Sequence, residues 1–321
     1  MKIFIYTFLV LFLNNVLFSQ RKHIVDLLAD KLKIIQKGDS FYFLNQPINS
    51  ISEYKKVMNT YWEDTYLNQI QNYLEADSLQ TAFDLLKNMA DSQFFFKEVI
   101  FENDSYWNKI KLNKEYPQIR EKIKQNFNIF CEATQVKYPS IMRQLLWMLY
   151  VDQKYQYIQF FRNKYSFAYA SNSNASIENL KNNTFVENKD SLDKYISQYG
   201  YLGPKEVGIM GADIVWVMVQ HADFDFEFQK RMWSAMKIAL KNDDCNPSNY
   251  ALLTDRILVH ENKKQRYGTQ FHYVKKYQNG KVVQVHELWP IENTKHLDSL
   301  RKSMQLPPLK TYLQQMKNQM E

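Results

Sequence analysis

Residues 219–229 read VQHADFDFEFQ, and they close an almost wholly apolar run, IVWVM. The run delivers Gln220 and His221, then sets Asp223, Asp225 and Gln229 within the next helical turns. A helix C-terminus favours the charged imidazolium, and a carboxylate two or four residues on can orient or pair with the ring. His221 with Asp223 or Asp225 is therefore a candidate general acid/base. His-x-Asp offers at most two metal ligands. The plainer alternative is a corner, in which His221 stops one helix and Asp225 caps the next. No HExxH and no third histidine stands at ligand spacing, and no CxxC or Cys/His cluster suggests zinc. No metal and no cofactor is expected.

Two further segments carry polar residues of the same character. LLTDRI sets Asp255 and Arg256 among apolar neighbours, and a charged pair near a buried face must be satisfied. Arg256 either clamps a carboxylate or phosphate group or staples structure. RYGTQF offers Tyr267, Thr269 and Gln270, with Gly268 leaving room for close backbone approach; a bulge at a strand start is the alternative. No G-x-S-x-G, P-loop or dinucleotide-binding fingerprint occurs, and no Ser or Cys stands in a recognisable nucleophile context.

The elements that must position these residues are mostly helices. Seven Gly and eight Pro against 12 Met, 22 Tyr and 21 Phe favour a mainly α chain with a large core. Residues 21–37 have helical spacing of Ile24, Leu27, Leu28, Leu32 and Ile35, with Gly38 as a stop. Tyr61, Trp62, Tyr66, Ile70, Tyr73 and Leu74 share one helical face, and Ala82, Phe83, Leu86, Met89 and Ala90 another. Asp77 or Ser78 as a cap makes the two an antiparallel helical hairpin. A helix from about 140 to 165 turns Ile141, Leu145, Met148, Leu149 and Tyr157 inward. Residues 170–190 are Ser/Asn-rich without apolar periodicity and read as a loop. Asp190 or Ser191 then caps a short helix that Gly200 ends.

The helix from Glu206 to Gln220 is apolar nearly all round, as central helices are. Asp225 caps a helix to about Lys241, and Asn249 to Val259 forms another. Near 266–289 the period changes to two around Asn279-Gly280, a β-hairpin that pairs Tyr277 with Val282, Tyr273 with His286, and His272 with Glu287. Two helices flanking Pro307-Pro308 close the chain. The expected class is mainly α (α+β) with this one hairpin.

Charge and termini narrow the functional classes. The formal net charge is +7, from 41 basic and 34 acidic residues scattered without a stripe interleaved with aromatics, which argues against nucleic acid. MKIFIYTFLVLFLNNVLFSQ reads as a signal peptide, residues 1–19, with Lys2, an apolar stretch from Ile3 to Leu13 and cleavage after Ser19. The stretch is short for a bilayer span. The expectation is a periplasmic or secreted protein with no stable membrane span after cleavage. Cys131 and Cys245 either pair or remain buried thiols.

The stretch LEADSLQTAFDLLKNMADSQFFFKEVIFENDSYWNKIK, through Ala82, Phe83, Leu86, Asp104 and Trp107, loosely resembles one tetratricopeptide-type helical unit, and residues 20–135 are read as that helical region. A cap for the following domain is the alternative. Farther on, Asp152-Gln153, YISQYGYLG, VQHADFDFEFQ, YALLTDRI, QRYGTQ and LDSLRKSMQLPPLKTYL occur in an order that resembles the bacterial domain of unknown function 6624, over about residues 140–316. Phe226 replaces that family's proline after QHAD-x, and Gln156 stands where its arginine would follow Asp-Gln. The resemblance implies positions without assigning an activity.

Two functions follow as expectations. One is an exported binding or interaction protein with a polar pocket drawing on Gln220, Gln229, Asp255, Arg256, Tyr267, Thr269, Gln270, Asp152 and Gln153, for a small molecule or a protein partner. The other is a hydrolase with His221 as general base, Asp223 or Asp225 orienting it, and Arg256 with Gln270 holding the substrate.

Overall fold

The computed structural model describes residues 34, 37–38, 41, 46–56, 63–92, 96–165, 174–278 and 281–320. The segment read as a signal peptide, nearly all of the helix expected over 21–37, Tyr61, Trp62 and the expected Asn279-Gly280 turn lie outside the described residues, as does the side chain of Tyr157. Two compact units emerge. The first runs to Gln135 and resumes at Met142–Thr184; the second takes Val136–Ile141 and Phe185 onward.

The first unit contains α1 (Pro47–Lys55), α2 (Glu63–Glu75), α3 (Leu79–Asp91), α4 (Glu98–Asn103), α5 (Asn108–Lys111), α6 (Tyr116–Ala133) and most of α7 (Pro139–Tyr165). Helices α2 and α3 pack as neighbours. Ala82, Phe83, Leu86, Met89 and Ala90 form the buried stripe of α3, as their spacing requires. On α2 the buried positions are Leu67, Ile70 and Leu74, with Gln69 and Asn72 beside them, so Tyr66 and Tyr73 flank the stripe. Asp77 takes the left-handed turn at φ 54°, and Ser78 occupies the cap position of α3 without a side-chain cap bond. Asp104 gathers the Tyr106 amide and the side chains of Tyr150 and Lys154, beside a fully buried Trp107. On α7, Ile141, Leu145 and Met148 are buried and Leu149 half-buried.

One expectation is overturned. Residues 174–190 are not a loop: α8 is continuous over Asn174–Tyr199, and Asp190 and Ser191 lie inside it. Its buried positions are Ile177, Thr184, Asn188 and Leu192. They keep helical spacing, yet two of the four are polar, so no apolar period shows in the sequence. The Thr184 hydroxyl donates to the Leu180 carbonyl one turn back. Gly200 then ends α8 at φ 81°, as expected.

In the second unit α9 (Pro204–His221) is buried almost throughout from Val207 to Val219 and kinks at Gly208. Its start is fixed from outside. Asp244 accepts the Lys205 amide at 2.9 Å, and a Cβ on Gly203 would lie 2.2 Å from the Asp244 carbonyl oxygen. Helix α10 (Phe226–Lys241) buries Phe228, Met232, Met236 and Ala239. Helix α11 (Pro247–His260) is capped by Asn246, which accepts the Ser248 amide. The Trp233 indole donates to Thr254 at 2.9 Å and ties α10 to α11.

Strands β1 (Phe271–Gln278) and β2 (Lys281–Leu288) pair antiparallel in the register that the alternation requires, with Tyr277 opposite Val282, Tyr273 opposite His286 and His272 opposite Glu287. The His272 ring stacks on Trp289 and the Glu287 carboxylate takes Lys276, so that pair faces each other without bonding to each other. Helices α12 (Leu297–Ser303) and α13 (Leu309–Met320) follow, flanking the two prolines.

Cys131 and Cys245 are both free and buried. Burial pushes each thiol up to about 11, and the Tyr201 hydroxyl donates to the Cys245 sulfur at 3.7 Å. A disulfide reagent such as DTNB should therefore leave the native protein unmodified and titrate both thiols after denaturation without reductant. Finding no thiol in the denatured, unreduced chain would show that the cysteines pair.

Candidate functional site

The C-terminus of α9 leaves carbonyl groups without helical partners, and side chains from later elements take them. Arg256 Nη1, from α11, donates to the Gln220 carbonyl at 2.9 Å. Gln229 Nε2, from α10 and almost fully buried, donates to the Val219 carbonyl at 3.0 Å. Both donors also reach one oxygen of Asp223, Arg256 at 2.8 Å and Gln229 at 2.9 Å. Four of the sequence-derived candidates, Gln220, Asp223, Gln229 and Arg256, thus meet in one knot. Gln220 contributes to it through its backbone.

Asp225 caps α10 by accepting the Phe228 amide at 2.9 Å, and its other oxygen meets Lys189 of α8 at 3.2 Å. The Phe228 amide first, and Lys189 with it, holds the Asp225 carboxyl below its ordinary range. The His221 ring stacks on Phe185 of α8, centroids 4.8 Å apart. Each carboxylate that could orient His221 therefore has other partners: Asp223 has Arg256 and Gln229, and Asp225 has Phe228 and Lys189.

Asp255, the residue before Arg256, is fully buried and faces a different segment. Its carboxylate accepts the amides of Arg266 at 2.7 Å, Tyr267 at 2.9 Å and Thr269 at 3.0 Å, and the Thr269 hydroxyl at 2.9 Å. Burial pushes its carboxyl up, against the pull of those donors. Gln265 works in parallel: its oxygen accepts the Thr269 and Gln270 amides, and its nitrogen donates to the Gln270 and Trp289 carbonyls. The carbonyl side of the same loop belongs to Arg301 of α12, which is also fully buried. Arg301 Nη1 donates to the carbonyls of Tyr267 at 2.5 Å and Gly268 at 3.1 Å, and Nε to Pro307 at 2.7 Å. Its guanidinium lies 4.8 Å from the Tyr312 ring, and the Tyr312 hydroxyl donates to the Thr269 carbonyl. Gly268 sits at φ 68°, where a Cβ would also press to 3.0 Å from Ile291.

Tyr267, Thr269 and Gln270 are thus brought together with Asp255, chiefly through backbone groups. The Gln270 side chain donates to the Leu252 carbonyl and to Thr269. Asp152 and Gln153 belong to the first unit, where the buried Asp152 carboxylate accepts Gln153 at 2.6 Å and Gln156 at 2.9 Å. Gln156 thus supplies a neutral donor to that carboxylate.

The sequence reading missed Arg301 and Gln265. Arg301 hides in LDSLRKS, where Arg-Lys reads as a solvated helix face, and Gln265 hides in ENKKQR. It also missed Asp213, the lone carboxylate in GADIVWVM. Among the described residues the Asp213 side chain makes no hydrogen bond or ion pair, and burial raises it to about 6. Also among them, no group of three His, Cys, Asp or Glu side chains is placed to hold a metal ion.

Asp255→Ala would strand the Arg266 and Tyr267 amides, while Thr269 keeps its bond to Gln265, so it should cost at least about 2 kcal/mol in urea denaturation. Arg301→Leu should cost about 2–4 kcal/mol, and the double variant less than the two together, because both residues hold one loop. Additive losses would show that the two residues act independently of each other. Asp213 binds its proton more tightly folded than unfolded. Its contribution is therefore full below the unfolded value and declines as pH rises from about 4 to 6. Asp213→Asn should gain about 3 kcal/mol over wild type at pH 8 and nothing at pH 3.5.

No curated protein and no solved structure matches the chain. A family model does, over residues 139–320, and the matched region contains the knot, the capped corner, the Asp255–Arg301 loop and the hairpin. The match extends over more than half of the sequence, so the chain belongs to the family of unknown function DUF6624.

Proposed function

We propose that this protein is an exported binding protein, periplasmic or secreted after cleavage at Ser19, and not a hydrolase. The observation that carries this reading is the commitment of Asp223 and Asp225 to partners other than His221. A general base needs a group that holds its ring in one tautomer and stabilises the imidazolium. Asp223 and Asp225 are engaged elsewhere, and the His221 ring stacks on Phe185. Arg256 and Gln270, which a hydrolase would aim at substrate, donate to backbone carbonyls. The polar residues of the QHAD, LTDR and YGTQ segments act in this reading as a rigid platform. What the platform presents is the hairpin, whose Tyr273 and Tyr277 are 64% and 76% exposed. Among the described residues no helix is long and apolar enough to cross a membrane. The helices of residues 20–135, read as a tetratricopeptide-type unit, would supply a second contact surface for a protein partner.

The test is a hydrolysis panel of chromogenic esters, amides and phosphate esters on the purified mature chain, wild type beside His221→Ala. Neither protein should exceed the uncatalysed rate, and His221→Ala should keep the wild-type melting temperature within a few degrees. Turnover by the wild type that His221→Ala loses, in a variant that folds normally, would replace the binding reading with the hydrolase.

A further inference from the structure

Resting on that binding reading, we infer that the outer edge of β1 docks an extended, acidic segment of a partner protein as a third strand. The first ground is the sheet itself. It has two strands, and β1 pairs only with β2 among the described residues. A two-stranded sheet is marginal in water without further pairing or packing. An open edge presents a row of N–H and C=O groups that an extended peptide can complete. Here the base of the hairpin is held by the Asp255–Arg301 loop, which ends at Thr269, two residues before Phe271, so the edge is offered by a fixed support.

The second ground is charge. Between Glu261 and Glu287 the sequence contains no carboxylate side chain, but it does contain Lys263, Lys264, Arg266, Lys275, Lys276 and Lys281. The two flanking acids are taken locally, Glu261 by Lys263 and Glu287 by Lys276. Strand β1 itself, FHYVKKYQ, carries two lysines and no acid. An approaching chain therefore meets a basic edge, and a basic or neutral strand gains nothing from it.

The third ground is the side-chain face. Successive side chains of a strand alternate, so Tyr273, Lys275 and Tyr277 lie on one face, and all three are exposed. The Tyr273 ring packs tilted against His286 across the register, centroids 4.0 Å apart. A cation between two aromatic rings suits a strand that alternates carboxylates with apolar or β-branched side chains. Backbone pairing separates this from capture of an acidic polysaccharide, which has no amide row to match.

Fluorescence anisotropy on the full mature chain tests the inference with a labelled ten-residue peptide alternating Glu with Val and Thr. Binding is expected, and it should weaken by about tenfold or more in salt of about 0.5 M. Lys275→Glu should cause a similar loss, as should the Tyr273→Ser/Tyr277→Ser pair, with unchanged circular dichroism. N-methylating alternate peptide amides of the probe should abolish binding without altering its charge. Three outcomes overturn the inference. A Lys-for-Glu peptide that binds equally removes the charge argument. An N-methylated probe that binds as well, displaced by oligogalacturonate, makes the surface a polyanion site. In either case, dependence on Tyr273 and Tyr277 would leave the binding reading standing. Absence of binding by all three probes removes the docking edge, and the binding reading then stands or falls by the His221 comparison.

Discussion

The peptide groups of residues 266–269 are held between two buried charges, and much of the second unit depends on that arrangement. Asp255 takes their N–H groups and Arg301 takes their carbonyls. Neither charge meets its opposite directly through a hydrogen bond. A buried ion is tolerated when polar groups replace the water it lost, and here the oriented dipoles of one loop serve both ions. The loop gains by the same bonds, because a tight turn with glycine at positive φ leaves several amides with no secondary-structure partner. Phe271 follows two residues after Thr269, so the hairpin starts from a fixed point.

Helix α11 distributes this control. Asp255 and Arg256 are consecutive, and consecutive helical residues diverge by about 100° around the axis. One therefore serves the loop while the other serves the end of α9. At that end Arg256 and Gln229 take the carbonyls that the helix cannot satisfy itself, and Asp223 joins the two donors. The polar signature thus works as two sets of backbone caps on one helix. These bonds engage its Asp, Arg, Gln and Thr side chains or backbone, and the His221 ring stacks on Phe185. In the proposed binding reading such a support suits recognition, since a pre-ordered edge loses little conformational freedom when a partner arrives.

Much of this was legible in the sequence where the cause is local. The apolar run from Ile214 to Val219 gave the central helix, Asp225 before an amphipathic stretch gave the next cap, and period-two alternation gave the hairpin with its register. The failure at 174–190 has a physical reason. Thr184 and Asn188 occupy buried helical positions, so the stripe exists in space without an apolar pattern to announce it. The candidate site was legible as a set of positions and illegible as a set of roles. Asp255 stood out because a carboxylate among Leu, Leu and Ile must be satisfied, but nothing local says by what.

The sequence by itself determined the helices with apolar periods, the Asp225 cap, the hairpin and the order of polar motifs, because these follow from interactions within a few residues of each other. Only the tertiary structure decided what the polar motifs bond to. Asp255 finds its donors 11 to 14 residues away, Arg256 finds Asp223 at 33, and Arg301 finds Tyr267 at 34. A buried polar group bonds whatever the fold brings within about 3 Å, and its own neighbours in sequence carry no record of that choice.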